Sequence, residues 1–105
     1  MNYWEVKLMG KPDLTKFGYR KGFDWATRFD LKTEVGNYIV STVDLGIDMS
    51  WGIGKHLYYE TMIFDKNGMV DAFDGYQVRY STQKEARKGH REAVKMVKEA
   101  IKNED

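Results

Sequence analysis

The 105-residue chain reads as an α+β domain: a single antiparallel sheet of four to six strands with one carboxy-terminal amphipathic helix packed on one face. Three observations carry this. Residues 83–102 repeat apolar side chains at helical spacing. Shorter segments upstream alternate or are rich in β-branched residues, and turn-forming residues separate them. A chain of this length supplies one domain, here residues 1–105, and is too short for two.

The helix is marked at its start by Thr82-Gln83-Lys84-Glu85, which has the form of a capping box. Behind it Ala86, His90, Ala93, Val94, Val97, Ala100 and Ile101 fall on one face, and lysines, arginines and glutamates fill the other. Such a stripe must be covered by the sheet. Gly89 inside the helix costs about 1 kcal/mol relative to alanine. It therefore implies close approach of a neighbouring backbone or of a bulky ring such as Trp25.

Among the strands, Tyr3–Met9 is the first predicted, followed by a loop through the only proline to about Gly22. From Phe23 the alternation Phe23, Trp25, Thr27, Phe29, Leu31 predicts a half-buried strand. Val35-Gly36-Asn37 turns the chain into a β-branched strand, Tyr38–Asp48. His56–Asp65 follows a long tip. Asp65-Lys66-Asn67-Gly68 is a tight-turn signal, after which strands are expected at Met69–Phe73 and Tyr76–Tyr80, with a bend at Asp74-Gly75.

Composition excludes several functions. With 17 basic against 16 acidic groups, no global field attracts nucleic acid or membrane. The absence of cysteine removes disulfides and thiolate chemistry. The start MNYWEVKLMG lacks the continuous apolar segment of a signal peptide, so a cytoplasmic location is the expectation. Residues 34–74 hold seven carboxylates and two lysines, an acidic middle between basic flanks.

The segment VDLGIDMSWGIGKHLYYE concentrates the candidate chemistry. A hairpin centred on Gly52 places Val43, Leu45 and Ile47 opposite Thr61, Tyr59 and Leu57 on an apolar face, leaving few apolar groups on the other. It also opposes Asp44 to Glu60 and Asp48 to His56, with cross-strand Cβ atoms about 5 Å apart. On that register Asp44, Asp48, His56 and Glu60 form an oxygen-rich set suited to magnesium or manganese and to phosphodiester chemistry. A one-residue slip dissolves the set, and the plain alternative is a solvated outer face. Gly52-Ile53-Gly54-Lys55 is not a phosphate-binding loop, because a strand follows it instead of a helix. The tip Met49–Lys55 exceeds an ordinary hairpin loop and carries Met49, Trp51 and Lys55, a pattern suited to protein contact.

Lys16, Tyr19, Arg20 and Lys21 interleave bases with aromatics, as binders of single-stranded nucleic acid or nucleotides do, although Phe23 and Trp25 also read as core. His90, on the apolar helix face, reads as a hydrogen-bonded core histidine, with a general base as the rival.

Two blocks resemble a known group: Ser41-Thr42-Val43-Asp44-Leu45-Gly46-Ile47-Asp48 with Glu60-Thr61-Met62-Ile63-Phe64, and Arg79-Tyr80-Ser81-Thr82 with Glu85-Ala86 and Gly89-His90. Together they are similar to a family of small bacteriophage- and prophage-encoded proteins that carry no established function. The resemblance implies a phage-type accessory role in the host cytoplasm and transfers no catalytic residue. The resulting expectation is a non-enzymatic protein that binds a host factor, such as a defence component, without cofactor. The rivals are a magnesium- or manganese-dependent phosphodiesterase or nuclease and a binder of nucleic acid or of a small nucleotide signal.

Overall fold

The computed structural model describes residues 13–104. Five strands and one long helix follow a short 3₁₀ turn at Leu14–Phe17. They are β1 (Asp30–Val35), β2 (Tyr38–Asp44), β3 (Tyr59–Asp65), β4 (Val70–Asp71), β5 (Gln77–Tyr80) and α1 (Gln83–Lys102). All pairings are antiparallel, with β1 against β2, β2 against β3, and β4 and β5 taking successive stretches of the far edge of β3. The helix packs across one face of this sheet, so the chain is α+β as its patterning predicts. The predicted strand Tyr3–Met9 lies outside the described residues.

Helix α1 begins and ends where the sequence places it. Thr82 Oγ1 accepts from the Glu85 N–H at 3.1 Å and donates to the Glu85 carboxylate at 3.2 Å. Its buried residues are Ala86, Gly89, His90, Ala93 and Val97. The last two join Val35, Val40 and Ile63 in the main core cluster, while Ala86 packs with Tyr59 and Tyr80 in a second. Each large aliphatic buried there contributes about 1.5–3 kcal/mol. Gly89 does face a ring, but the ring is that of Tyr80 and not of Trp25. A Cβ added at Gly89 would lie 2.0 Å from the Tyr80 hydroxyl oxygen.

The interface between helix and sheet holds a polar chain. Tyr80 donates to Thr61 at 3.1 Å, and the Thr61 and Thr42 hydroxyls meet at 2.6 Å. Thr42 lies 2.7 Å from His90 Nδ1, while His90 Nε2 lies 2.8 Å from Thr33. The chain ties β5, β3 and β2 to α1 and α1 to β1. His90 is thus a satisfied core histidine, and burial holds its imidazole below the ordinary value.

Three sequence expectations change. First, residues 23–29 turn rather than extend, and β1 begins only at Asp30. The alternation of Phe23 and Trp25 instead reflects a local cluster, in which Tyr19 stacks on Phe23 at 5.2 Å and Trp25 sits edge-on to both. Gly46 admits this cluster against the sheet, since a Cβ there would lie 2.7 Å from both the Tyr19 and Phe23 rings. Second, β2 stops at Asp44 and β3 starts at Tyr59, and their register is shifted by one residue: Asp44 opposes Tyr59, and Val43 opposes Glu60. Third, and as a consequence, Val43 belongs to the face away from the helix. That open face carries Ile39, Val43, Met62 and Phe64.

Candidate functional site

The connection between β2 and β3, residues 45–58, holds five candidate residues: Asp48, Met49, Trp51, Lys55 and His56. Its stem continues the hairpin loosely, with Leu45 N–H donating to Tyr58 and Met49 N–H donating to Leu57. Asp48 closes the stem. Its carboxylate accepts from the Ser50 N–H, the Ser50 hydroxyl and the Leu57 N–H, each at 2.9 Å, and lies 2.6 Å from His56 Nδ1. The His56 contact foremost, then the Leu57 N–H and Ser50, hold this carboxyl well below the usual carboxylate range.

Above the stem, Ser50-Trp51-Gly52-Ile53 makes a four-residue turn in which the Ile53 N–H donates to the Ser50 carbonyl at 3.1 Å. Both central residues have positive φ, 58° at Trp51 and 77° at Gly52, as in a type I′ turn. Asparagine, aspartate or glycine ordinarily fills the first of these places. A tryptophan there is strained by roughly 1–2 kcal/mol. It also gains little from packing, since Trp51 is 84% exposed and Ile53 80% exposed. Lys55 is exposed beside them, whereas Met49 is half-buried in the stem.

The four residues of the candidate metal set do not converge. Asp44 takes both terminal nitrogens of Arg20 and the Gly46 N–H, with Arg20 Nη1 at 3.2 Å. Glu60 lies on the opposite face of the sheet and accepts from Arg79 Nε at 2.9 Å. Only Asp48 and His56 meet, through the loop stem rather than the strand register that predicts their pairing. No group of three or more histidines and carboxylates gathers for a metal among the described residues.

The basic-aromatic segment is divided in the same way. Arg20 is committed to Asp44 and lies 4.7 Å from the Tyr58 ring, so it anchors the 13–29 segment to the hairpin stem. Tyr19 is held in the aromatic cluster. Lys16, Phe17 and Lys21 remain at the surface. No helix among the described residues is long and apolar enough to cross a membrane.

Sequence reasoning missed Ile53, whose signal was an apolar residue isolated between two glycines. It also missed Arg20 as the partner of Asp44, because 24 residues separate them and no local pattern links them. The chain matches no family model, and neither a curated protein nor a solved structure shows significant similarity to it.

Proposed function

We propose that the protein is a non-enzymatic binding module that docks its Met49–Lys55 tip onto a host protein, such as a defence component. One observation carries the reading: Trp51 holds a strained left-handed backbone while 84% exposed. Strain without compensating contacts inside the chain marks a position kept for something outside it. The stem supports this, because the hydrogen bonds of Asp48 hold the loop in place before a partner arrives and so lower the ordering cost of binding. The host as the source of the partner rests on the resemblance of the two sequence blocks to phage-encoded proteins.

The test is to express tagged wild-type and Trp51→Ala chains in host cells, identify what co-purifies, and titrate the purified partner. Trp51→Ala should fold with wild-type stability to within about 0.5 kcal/mol. It should nevertheless cost at least about 2 kcal/mol of binding, as a hot-spot truncation does. Equal recovery and equal affinity for the two chains would remove the tip from the interface.

A further inference from the structure

The open face of the sheet holds a second concave site, apart from the tip. A cavity of about 360 Å³ lies over β1, β2 and β3, within the range of small-molecule pockets. Its walls are Ile39, Val43 and Phe64, of which Ile39 and Phe64 are directly opposed across β2 and β3. Met69, in the turn after β3, closes one side with an adaptable thioether.

Three polar groups converge on this apolar trough. Ser41, 9% exposed, lines the cavity. A serine hydroxyl both donates and accepts, so it can meet an anionic head that enters the cavity. Lys32 stands directly opposite Ser41 in the β1–β2 register. Arg28 lines the same cavity, stacks on Trp25 at 5.0 Å and reaches only the Asp44 carbonyl, at a long 3.5 Å. It pairs with no carboxylate among the described residues.

The surrounding charges leave these cations available. Glu34 is matched by Lys66 at 3.0 Å and Glu60 by Arg79 at 2.9 Å. Among the described residues Lys32 has only Asp30, at 3.9 Å. The trough is therefore apolar along its floor and cationic at one side.

We infer that this open-face cavity binds a small amphipathic anion, its aliphatic or aromatic body against Ile39, Val43 and Phe64, and its carboxylate or phosphate head on Arg28, Lys32 and the Ser41 hydroxyl. The site is independent of the tip, and the two can fail separately.

Octanoate, octyl phosphate and octylammonium share one tail and differ in the head, and each can be titrated into the full chain while amide NMR shifts are followed. Saturable shifts centred on Ile39, Ser41, Val43 and Phe64 are expected with at least one of the two anions, and which anion binds tighter identifies the head. Octylammonium should bind at least about tenfold more weakly than that anion. Lys32→Glu, at an exposed position, should keep the wild-type melting temperature, weaken the anion about tenfold and strengthen octylammonium. Equal binding of anion and cation would overturn the inference. So would shifts confined to the tip or to residues 13–24, or no saturation by either anion at millimolar concentration.

Discussion

His90 and Gly89 stand side by side on α1 and make opposite demands on the sheet. Gly89 must have no side chain, because the Tyr80 ring occupies the space a Cβ would take. Gly89→Ala therefore tests a balance of two effects. Helix propensity favours alanine by about 1 kcal/mol, while overpacking a filled site costs about 1–3 kcal/mol and also threatens the Tyr80–Thr61 hydrogen bond. A lower denaturation midpoint is expected; a higher one would show that Tyr80 can swing away without loss. His90 must stay neutral, because its neighbours along the polar chain are three threonines and a tyrosine, with no carboxylate to hold an imidazolium. Its folded pKa is depressed below the ordinary 6.5, so the unfolded chain binds the proton more readily. Stability should be at its full value above pH 6.5 and should fall as the pH drops from there toward the folded pKa. A single proton gives a slope of at most about 1.4 kcal/mol per pH unit. Urea midpoints measured from pH 7.5 to 5 check this, and a flat profile would mean the ring is not held neutral. The helix-face spacing gave away His90 as a core residue, but no local pattern could choose Tyr80 over Trp25 as the ring beside Gly89. That choice depends on which strand lies under the helix.

At the scale of elements, α1 and the β2–β3 connection show why one was legible and the other was not. A capping threonine, six apolar residues and His90 on one stripe overdetermine the helix, so its bounds survive intact. The long hairpin has no such redundancy. Residues 45–58 leave regular pairing, and Asp44, drawn to Arg20 and the Gly46 N–H, ends β2 early. Register then depends on interactions remote in sequence, and a symmetrical reading about Gly52 slips by one. The slip placed Asp44 on the face of Glu60, whereas it lies on the opposite one, and so created the four-residue candidate metal set. The Asp48–His56 contact survives because it is built by the stem itself. Asp48→Ala should consequently loosen the tip and leave the sheet unaffected. Amide exchange at Ser50 and Leu57 should accelerate while Val40 and Ile63 stay protected, and uniform acceleration would show that the tip and the sheet open as one unit. The low pKa of Asp48 keeps the clamp ionised through the range in which His90 responds to acid; its contribution is full above the ordinary carboxylate pKa and is lost as the pH falls from there toward the folded value.

For the whole molecule, the question is what joins residues 13–29 to the sheet. The join is made by the Tyr19, Phe23 and Trp25 cluster seated on Gly46, and by Arg20 gripping a nearly buried Asp44. Removing one partner of such a pair leaves an uncompensated charge in the interior, which costs about 3–5 kcal/mol. Arg20→Ala should thus destabilise the fold by an amount in that range, and the Arg20→Ala/Asp44→Asn double variant should recover part of it. If Arg20→Ala costs under about 1 kcal/mol, the pair behaves as an exposed one. The alternation from Phe23 onward disguised this segment as a strand because the cluster places rings two residues apart, as a strand would. Its anchoring arginine resembles a nucleic-acid contact in sequence for the same reason: sequence shows a basic residue beside aromatics but not the carboxylate folded onto it.

The overlap between the Tyr80 ring and the missing Cβ of Gly89 also has an evolutionary consequence. Positions 80 and 89 share one volume, so the two substitutions are coupled: alanine or serine at 89 is tolerated where 80 carries a smaller side chain, and an aromatic at 80 demands glycine at 89. Thr61, which accepts the Tyr80 hydroxyl, is the third position in the coupled set. Descendants of this chain that drift apart in their loops should still exchange residues 61, 80 and 89 in concert. That joint pattern offers a handle for tracing lineage after overall identity has faded.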